Sequence, residues 1–167
     1  MSTVNNIILN SLQVQQKIRR IAYQIYENNS NEKEIVLAGI ASNGYIFATE
    51  LEKYLLEISS LKVIMCKVVM DKKNPLNSIK TSIDSSEYQN KSLVLVDDVL
   101  NSGATLIYGI KHFLEVPLKR FKTAVLVNRN HKKYPVKADF KGISLSTTLQ
   151  EHVVVEFNTK GTIAYLL

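Results

Sequence analysis

The chain has 167 residues, 46% of them apolar and 22% charged, and a single cysteine. These values suit one domain over residues 1–167, and no apolar run approaches the roughly 20 residues needed to cross a bilayer. Cys66 excludes an intrachain disulfide, and no secretory signal pattern is present, so a cytoplasmic location is expected. The net charge of +6 favours the binding of polyanions such as nucleotides or RNA. A basic surface without such a partner is an equally weighted alternative.

The first part of the chain alternates predicted helices and strands. Apolar residues at helical spacing predict a helix from Leu9 to Asn28. The run Glu34–Ile40 is typical of a strand buried on both faces, and a turn follows at Ala41–Gly44. Helical periodicity resumes from Tyr45 to Ile58.

The rest of the chain continues this alternation around one polar stretch. Asp71–Asn90 is the least periodic segment, and we predict a mobile loop there with a possible strand pair. The other predicted elements are strands at Leu61–Met70, Ser92–Val96 and Thr123–Asn128, a helix from Ser102 to Glu115, and a terminal strand pair at Val153–Phe157 and Thr162–Leu167. The pattern predicts an α/β fold with a mainly parallel sheet, whose ligands bind at the carboxyl ends of its strands.

The most informative segment is VLVDDVLNSGAT, from Val94 to Thr105. A strand leads to two carboxylates, Asp97 and Asp98, and a short loop then opens a helix. Gly103 permits a close backbone approach, and the amides at the helix start can bind an anion without a basic side chain. The two carboxylates can accept hydrogen bonds from ribose hydroxyls or hold a hydrated Mg²⁺. An ordinary Asp-rich turn before a capped helix is the alternative, and the spacing of a Walker P-loop is absent.

This segment resembles the phosphoribosyl pyrophosphate (PRPP) signature of type I phosphoribosyltransferases. The order and spacing of the other segments most resemble the PyrR family, pyrimidine operon regulators that also have uracil phosphoribosyltransferase activity. The resemblance implies a parallel sheet flanked by helices with a small hood, Mg²⁺ as cofactor, and dimers or tetramers. It also implies the conversion of uracil and PRPP to uridine monophosphate (UMP) and pyrophosphate.

The resemblance also assigns roles to residues. Asp97 and Asp98 would contact the ribose hydroxyls as catalytic residues and hold Mg²⁺ through water. The remaining assignments are a 5-phosphate loop of Asn101, Ser102, Gly103, Ala104 and Thr105, a pyrophosphate loop of Ala41, Ser42, Asn43 and Gly44, and base-binding residues Ala138, Asp139 and Phe140.

Several positions depart from the family pattern. Asn43 stands where the pyrophosphate loop normally has Arg, Asn128 replaces an acid, and Ala104 replaces the Arg of the nearest relatives. The loop at 71–90 has no Arg, so Lys72, Lys73 or Lys80 could substitute as pyrophosphate clamps, although Lys lacks the bidentate fork of Arg. Arg129, after the next predicted strand, is a further possible clamp. These losses affect stabilisation of the leaving pyrophosphate more than binding.

Two classes of function therefore remain open. One is an enzyme that transfers phosphoribose to a base, with uracil preferred and activity weakened. The other is a regulatory module that senses PRPP or a nucleotide with little or no turnover. RNA binding is a separate possibility that would use Arg19, Arg20, Lys132 and Lys133, although Tyr23 replaces a His of the relatives.

Overall fold

Residues 6–167, the part of the chain described by the computed structural model, form nine strands and four helices. In chain order they are β1 (Asn6–Leu9), α1 (Ser11–Asn28), β2 (Glu34–Ile40), α2 (Asn43–Ile58), β3 (Lys62–Val69), β4 (Lys80–Thr81), α3 (Ser85–Tyr88), β5 (Ser92–Leu100), α4 (Ala104–Phe113), β6 (Arg120–Arg129), β7 (Phe140–Leu145), β8 (Val153–Asn158) and β9 (Gly161–Leu166).

A six-stranded sheet with the order β4-β3-β2-β5-β6-β7 forms the centre of the molecule. All of its strand pairs are parallel except β3 with β4. Successive side chains of a strand point to opposite faces. Val94 of β5 accordingly packs in the layer that contains α1 and α2, whereas Leu95 packs in the layer of α4. The predicted α/β fold with a mainly parallel sheet is confirmed.

A second, antiparallel sheet has the order β1-β9-β8. Its β8–β9 hairpin confirms the predicted terminal strand pair, and Gly161 at the turn has a φ of 128°. β1, which was not predicted, pairs with β9 so that Asn6 lies opposite Leu166. We call this sheet the hood. Its strand β8 packs beside the carboxyl end of β5.

Several element boundaries differ from the sequence prediction. Leu9 belongs to β1, and α1 begins two residues later because Asn10 and Gln13 form a reciprocal capping box. β5 continues to Leu100, which places Asp97 and Asp98 within the strand. The polar segment 71–90 contains β4 and the short helix α3, and β7 was not predicted at all. Among residues 6–167, no helix combines the length and apolarity that a membrane crossing requires.

Candidate functional site

A pocket of about 160 Å³ opens at the carboxyl end of β5, where the loop into α4 begins. The pocket brings together both predicted acids, most of the predicted phosphate loop, one lysine of the polar segment and one residue of the hood. Its lining consists of Lys72, Asp97, Asp98, Val99, Leu100, Asn101, Ser102, Gly103, Thr105, Leu106, Val125 and Val153.

The two acids occupy different environments. Asp97 is 4% exposed and Asp98 is half-buried. Burial, followed by the negative charge of Asp98, raises the pKa of Asp97 to about 8, and the neighbouring Lys72 opposes this rise. Lys72 Nζ lies 3.5 Å from Asp97 Oδ1, which also accepts a 2.9 Å hydrogen bond from the Asp98 amide. A cation or a donating ligand at this position would therefore favour the ionised carboxylate.

The loop into α4 presents free backbone donors. Gly103 has a φ of 90°, a left-handed conformation that favours glycine, and α4 starts directly after it. Within residues 6–167 the amides of Gly103, Thr105 and Leu106 donate to no protein acceptor, while that of Ala104 donates to Ser102 Oγ at 3.2 Å. The Ser102 carbonyl accepts from the amides of Lys133 and Tyr134 and so anchors the loop. This geometry can bind an anion such as a phosphate.

The turn before α2 lies against the acids. A Cβ on Gly44 would come within 2.8 Å of the Val96 carbonyl oxygen and 3.0 Å of Asp97 Oδ1, so the close contact requires glycine. The Asn43 side chain donates to Asp98 Oδ2 at 3.1 Å. Ser42 precedes α2 without a side-chain capping bond, and the peptide bond between Ala41 and Ser42 is cis. The predicted pyrophosphate loop is thus next to the acids, without a cation of its own.

Only one of the possible clamps reaches the pocket. Lys72 lines it, whereas Lys73 and Lys80 are exposed and do not. Arg129 is 7% exposed, and its Nη2 donates to the Thr148 carbonyl at 2.7 Å while its Nε donates to the Thr147 hydroxyl. Arg129 is therefore engaged in holding the segment before β8.

The structure does not bring Ala138, Asp139 and Phe140 to the pocket. Phe140 starts β7 opposite Ala124, near the amino end of the parallel pair, whereas the pocket lies at the carboxyl end. Phe140 and Ala138 are each 8% exposed and pack in the core. Asp139 Oδ2 accepts a 3.0 Å hydrogen bond from the Thr123 amide. The resemblance to the family implies a base-binding role for these residues, but the chain that follows β6 returns to the other end of the sheet before it reaches them.

Sequence reasoning missed the contribution of the hood to the site. Val153 lines the pocket, and the Val155 carbonyl accepts a 3.0 Å hydrogen bond from Asn43 Nδ2. The apolar run of β8 predicted a strand but gave no signal for its long-range position.

A parallel sheet, a pocket at its carboxyl edge and free amides at the start of a helix are the features of α/β domains that bind phosphate-bearing ligands. The chain belongs to the phosphoribosyl transferase domain family, whose model matches residues 4–159. It is 30% identical over 154 residues to the bifunctional protein PyrR of Streptococcus agalactiae, covering 89% of this chain and 88% of the relative. Identity to PyrR of Streptococcus pneumoniae is 32% with the same coverage.

Solved structures show the same fold. A hypoxanthine-guanine phosphoribosyltransferase of Bacillus anthracis aligns with a TM-score of 0.77 at 20% identity, covering 97% of this chain and 96% of the other. A variant hypoxanthine phosphoribosyltransferase of Trypanosoma cruzi, complexed with the product IMP, aligns with a TM-score of 0.82 at 14% identity. That alignment covers 100% of this chain and 92% of the other.

Proposed function

We propose that this protein transfers phosphoribose from PRPP to a nucleobase, uracil by preference, to give UMP and pyrophosphate. The observation that carries the proposal is the pocket in which free amides at the start of α4 face two adjacent carboxylates. Membership of the phosphoribosyl transferase family and the similarity to PyrR support the same activity.

The chemistry assigns separate tasks to the two halves of the pocket. The amides and hydroxyls of the loop from Asn101 to Thr105 hold the 5-phosphate, and Asp97 and Asp98 accept hydrogen bonds from the ribose hydroxyls. A base nitrogen forms the new bond to the anomeric carbon while the bond from that carbon to pyrophosphate breaks, and the proton of the nitrogen passes to solvent water as pyrophosphate leaves. The nucleophile is the base itself, so the protein supplies none. The carboxylates also oppose the positive charge that develops on the ribose.

The donor set fits a magnesium ion that arrives with the substrate. Mg²⁺ is commonly bound by one or two carboxylates together with substrate oxygens and water. Asp97 and Asp98 lie side by side on the pocket wall, and residues 6–167 contain no cluster of three acidic, histidine or cysteine groups that would bind a metal alone. We infer that the two acids hold hydrated Mg²⁺, which would neutralise charge on the pyrophosphate.

The site offers few cationic side chains to bind the pyrophosphate group. The turn of Ala41, Ser42, Asn43 and Gly44 offers backbone groups but no cation, and Lys72 is the cation at the pocket. Lys72 is engaged with Asp97 in the structure, so it must move or be shared when the substrate binds. One missing cation in such a site costs on the order of 10²-fold in rate, which predicts a slow enzyme.

We infer that the base lies at the hood side of the pocket, next to Val153. Val153 supplies apolar surface beside the acids, as the flat face of a pyrimidine requires. The roles first considered for Ala138, Asp139 and Phe140 receive no support from their positions. Uracil as the preferred base rests on the similarity to PyrR.

The decisive experiment is a panel of purine and pyrimidine bases with PRPP and Mg²⁺, read as pyrophosphate release. We expect turnover with uracil and its loss in the double variant Asp97→Asn, Asp98→Asn. No turnover above that control with any base would refute the enzymatic proposal.

A regulatory module with little catalysis is the second candidate, favoured by the missing cation in the turn at Ala41–Gly44. An RNA-binding form of this module would use exposed basic side chains such as those of Lys132 and Lys133. Arg19, another candidate, has its guanidinium carbon 5.8 Å from the centroid of the Tyr23 ring on α1. Arg20 is less available because it donates to the Gly142 carbonyl at 2.7 Å. RNA binding that weakens steeply with salt would support this form.

A cytoplasmic location and a dimeric or tetrameric state remain proposals. Cell fractionation would test the location, and light scattering would test the oligomeric state.

A further inference from the structure

The side chain of Asn43 joins three parts of the site. We propose that Asn43 is a positioning residue that orients the Asp98 carboxylate for the ribose and fastens it to the hood. This inference rests on the proposed function, in which Asp98 accepts from ribose hydroxyls. The sequence alone indicated a loss at this position, because a neutral amide stands where a cation was expected.

The hydrogen bonds of Asn43 fix the orientation of its amide. Nδ2 lies 3.1 Å from Asp98 Oδ2 and 3.0 Å from the Val155 carbonyl oxygen. The Val155 carbonyl oxygen and an ionised Asp98 carboxylate are both acceptors only, and a side-chain amide nitrogen carries two hydrogens to donate. The donor capacity of this nitrogen is therefore used by one acceptor from β5 and one from β8.

The surroundings explain why a donor is needed at this point. β8 is one of the two edge strands of the hood, so one side of its backbone has no neighbouring strand in the described part of the chain. Val155 is only 3% exposed, and its carbonyl would lose solvation there without a partner. Asn43 supplies that partner and simultaneously contacts Asp98.

The position of Asn43 is itself constrained by the fold. It is the first residue of α2, and the adjacent Gly44 packs directly against Asp97. The start of α2 can therefore move little relative to β5. A short side chain on this fixed backbone can hold Asp98 in one orientation before the substrate binds, which reduces the cost of ordering it.

Two substitutions at Asn43 separate hydrogen bonding from packing. Asn43→Ala removes the donor, and Asn43→Asp keeps the shape but replaces the donor by an oxygen. We expect calorimetry with Mg²⁺ and PRPP to show about tenfold weaker binding for Asn43→Ala and a larger loss for Asn43→Asp. Thr49→Ala, which removes a hydroxyl bonded within α2, is the matched control and should bind like the wild type. A milder effect for Asn43→Asp than for Asn43→Ala would indicate packing alone and overturn the proposal.

A double-mutant cycle with Asp98→Ala tests whether Asn43 acts through Asp98. If it does, Asn43→Ala should weaken PRPP binding by less than twofold once Asp98 is absent. The enzyme assay should show the same non-additivity in kcat/KM. Equal, fully additive effects in both backgrounds would mean that Asn43 only supports the fold, and would refute the positioning role.

The cycle can also be separated from the proposed function. A wild-type protein that binds no PRPP would refute the proposed function alone. The same four proteins would then be compared by urea unfolding, where contacting residues show a coupling free energy. A coupling of zero in that comparison would overturn the link between Asn43 and Asp98, and a clear coupling would support it.

Discussion

The buried carboxyl of Asp97 makes a defined prediction about stability and pH. Its pKa in the folded protein is about 8, whereas the ordinary value is 3.8. Between these values the folded protein holds a proton that the unfolded chain has released, so the free energy of unfolding falls as the pH rises. Asp97→Asn keeps the size of the side chain but cannot ionise, and it should remove this dependence.

The expected size follows from the length of the pH window. Each pH unit inside the window corresponds to about 1.4 kcal/mol, so the wild type should lose on the order of 2–3 kcal/mol between pH 5 and pH 7 relative to Asp97→Asn. Lys72, at 3.5 Å from Asp97, opposes the rise in the pKa of Asp97, so Lys72→Met should extend the pH range over which the free energy of unfolding falls to above pH 8.

Urea unfolding followed by circular dichroism at pH 5, 6 and 7, without Mg²⁺ or phosphate, measures this difference directly. Glu57→Gln removes an exposed acid, and its free energy of unfolding should change with pH in parallel with that of the wild type. Parallel curves for the wild type and Asp97→Asn would refute the argument that Asp97 is protonated in the folded protein. The expected result would also show that activity lost in the Asp97→Asn variants is not lost through unfolding.

Three further substitutions test other parts of the fold. Gly103→Ala places a Cβ 2.5 Å from Val136 Cγ1 at a φ of 90°, so thermal melting should show a loss of at least about 1 kcal/mol and calorimetry weaker binding of ribose 5-phosphate. Asn29→Ala removes the buried partner of the Ser92 hydroxyl at 2.6 Å and should cost about 1–3 kcal/mol by urea unfolding, and an unchanged midpoint would contradict this. Arg129→Ala releases the segment at Thr147 and Thr148, and amide hydrogen exchange there should accelerate while the exchange of β2 stays constant.

Local patterns predicted the central sheet well. Alternation of short apolar runs with helical periodicity identified β2, β3, β5 and β6 because buried parallel strands need continuous apolar sequence. The same reasoning missed β7, whose FKGISL sequence alternates weakly, and β1, which pairs with the distant β9. Such long-range pairing has no local signature.

The candidate site likewise has one part that local sequence predicted and one part that depends on distant segments. The contiguous segment from Asp97 to Thr105 was predicted from its own local pattern, and all of it except Ala104 lines one pocket. Val153 and the bond from Asn43 to Val155 depend on how the hood folds back, which no spacing in the sequence reveals. Ala138 and Phe140, to which the family resemblance gives a base-binding role, lie in the core away from this pocket, because Phe140 begins β7 opposite Ala124.

The pairing of Asn6 with Leu166 has a consequence for biosynthesis. The central sheet can assemble from residues 34–145 as they leave the ribosome, but β8 and β9 follow at the far end and must find β1 across nearly the whole described chain. Contacts of such separation form late, because the intervening chain must first become compact. A nascent chain should therefore form the proposed 5-phosphate loop well before Val153 is added, so under the proposed function a sugar phosphate could bind before the base can be enclosed.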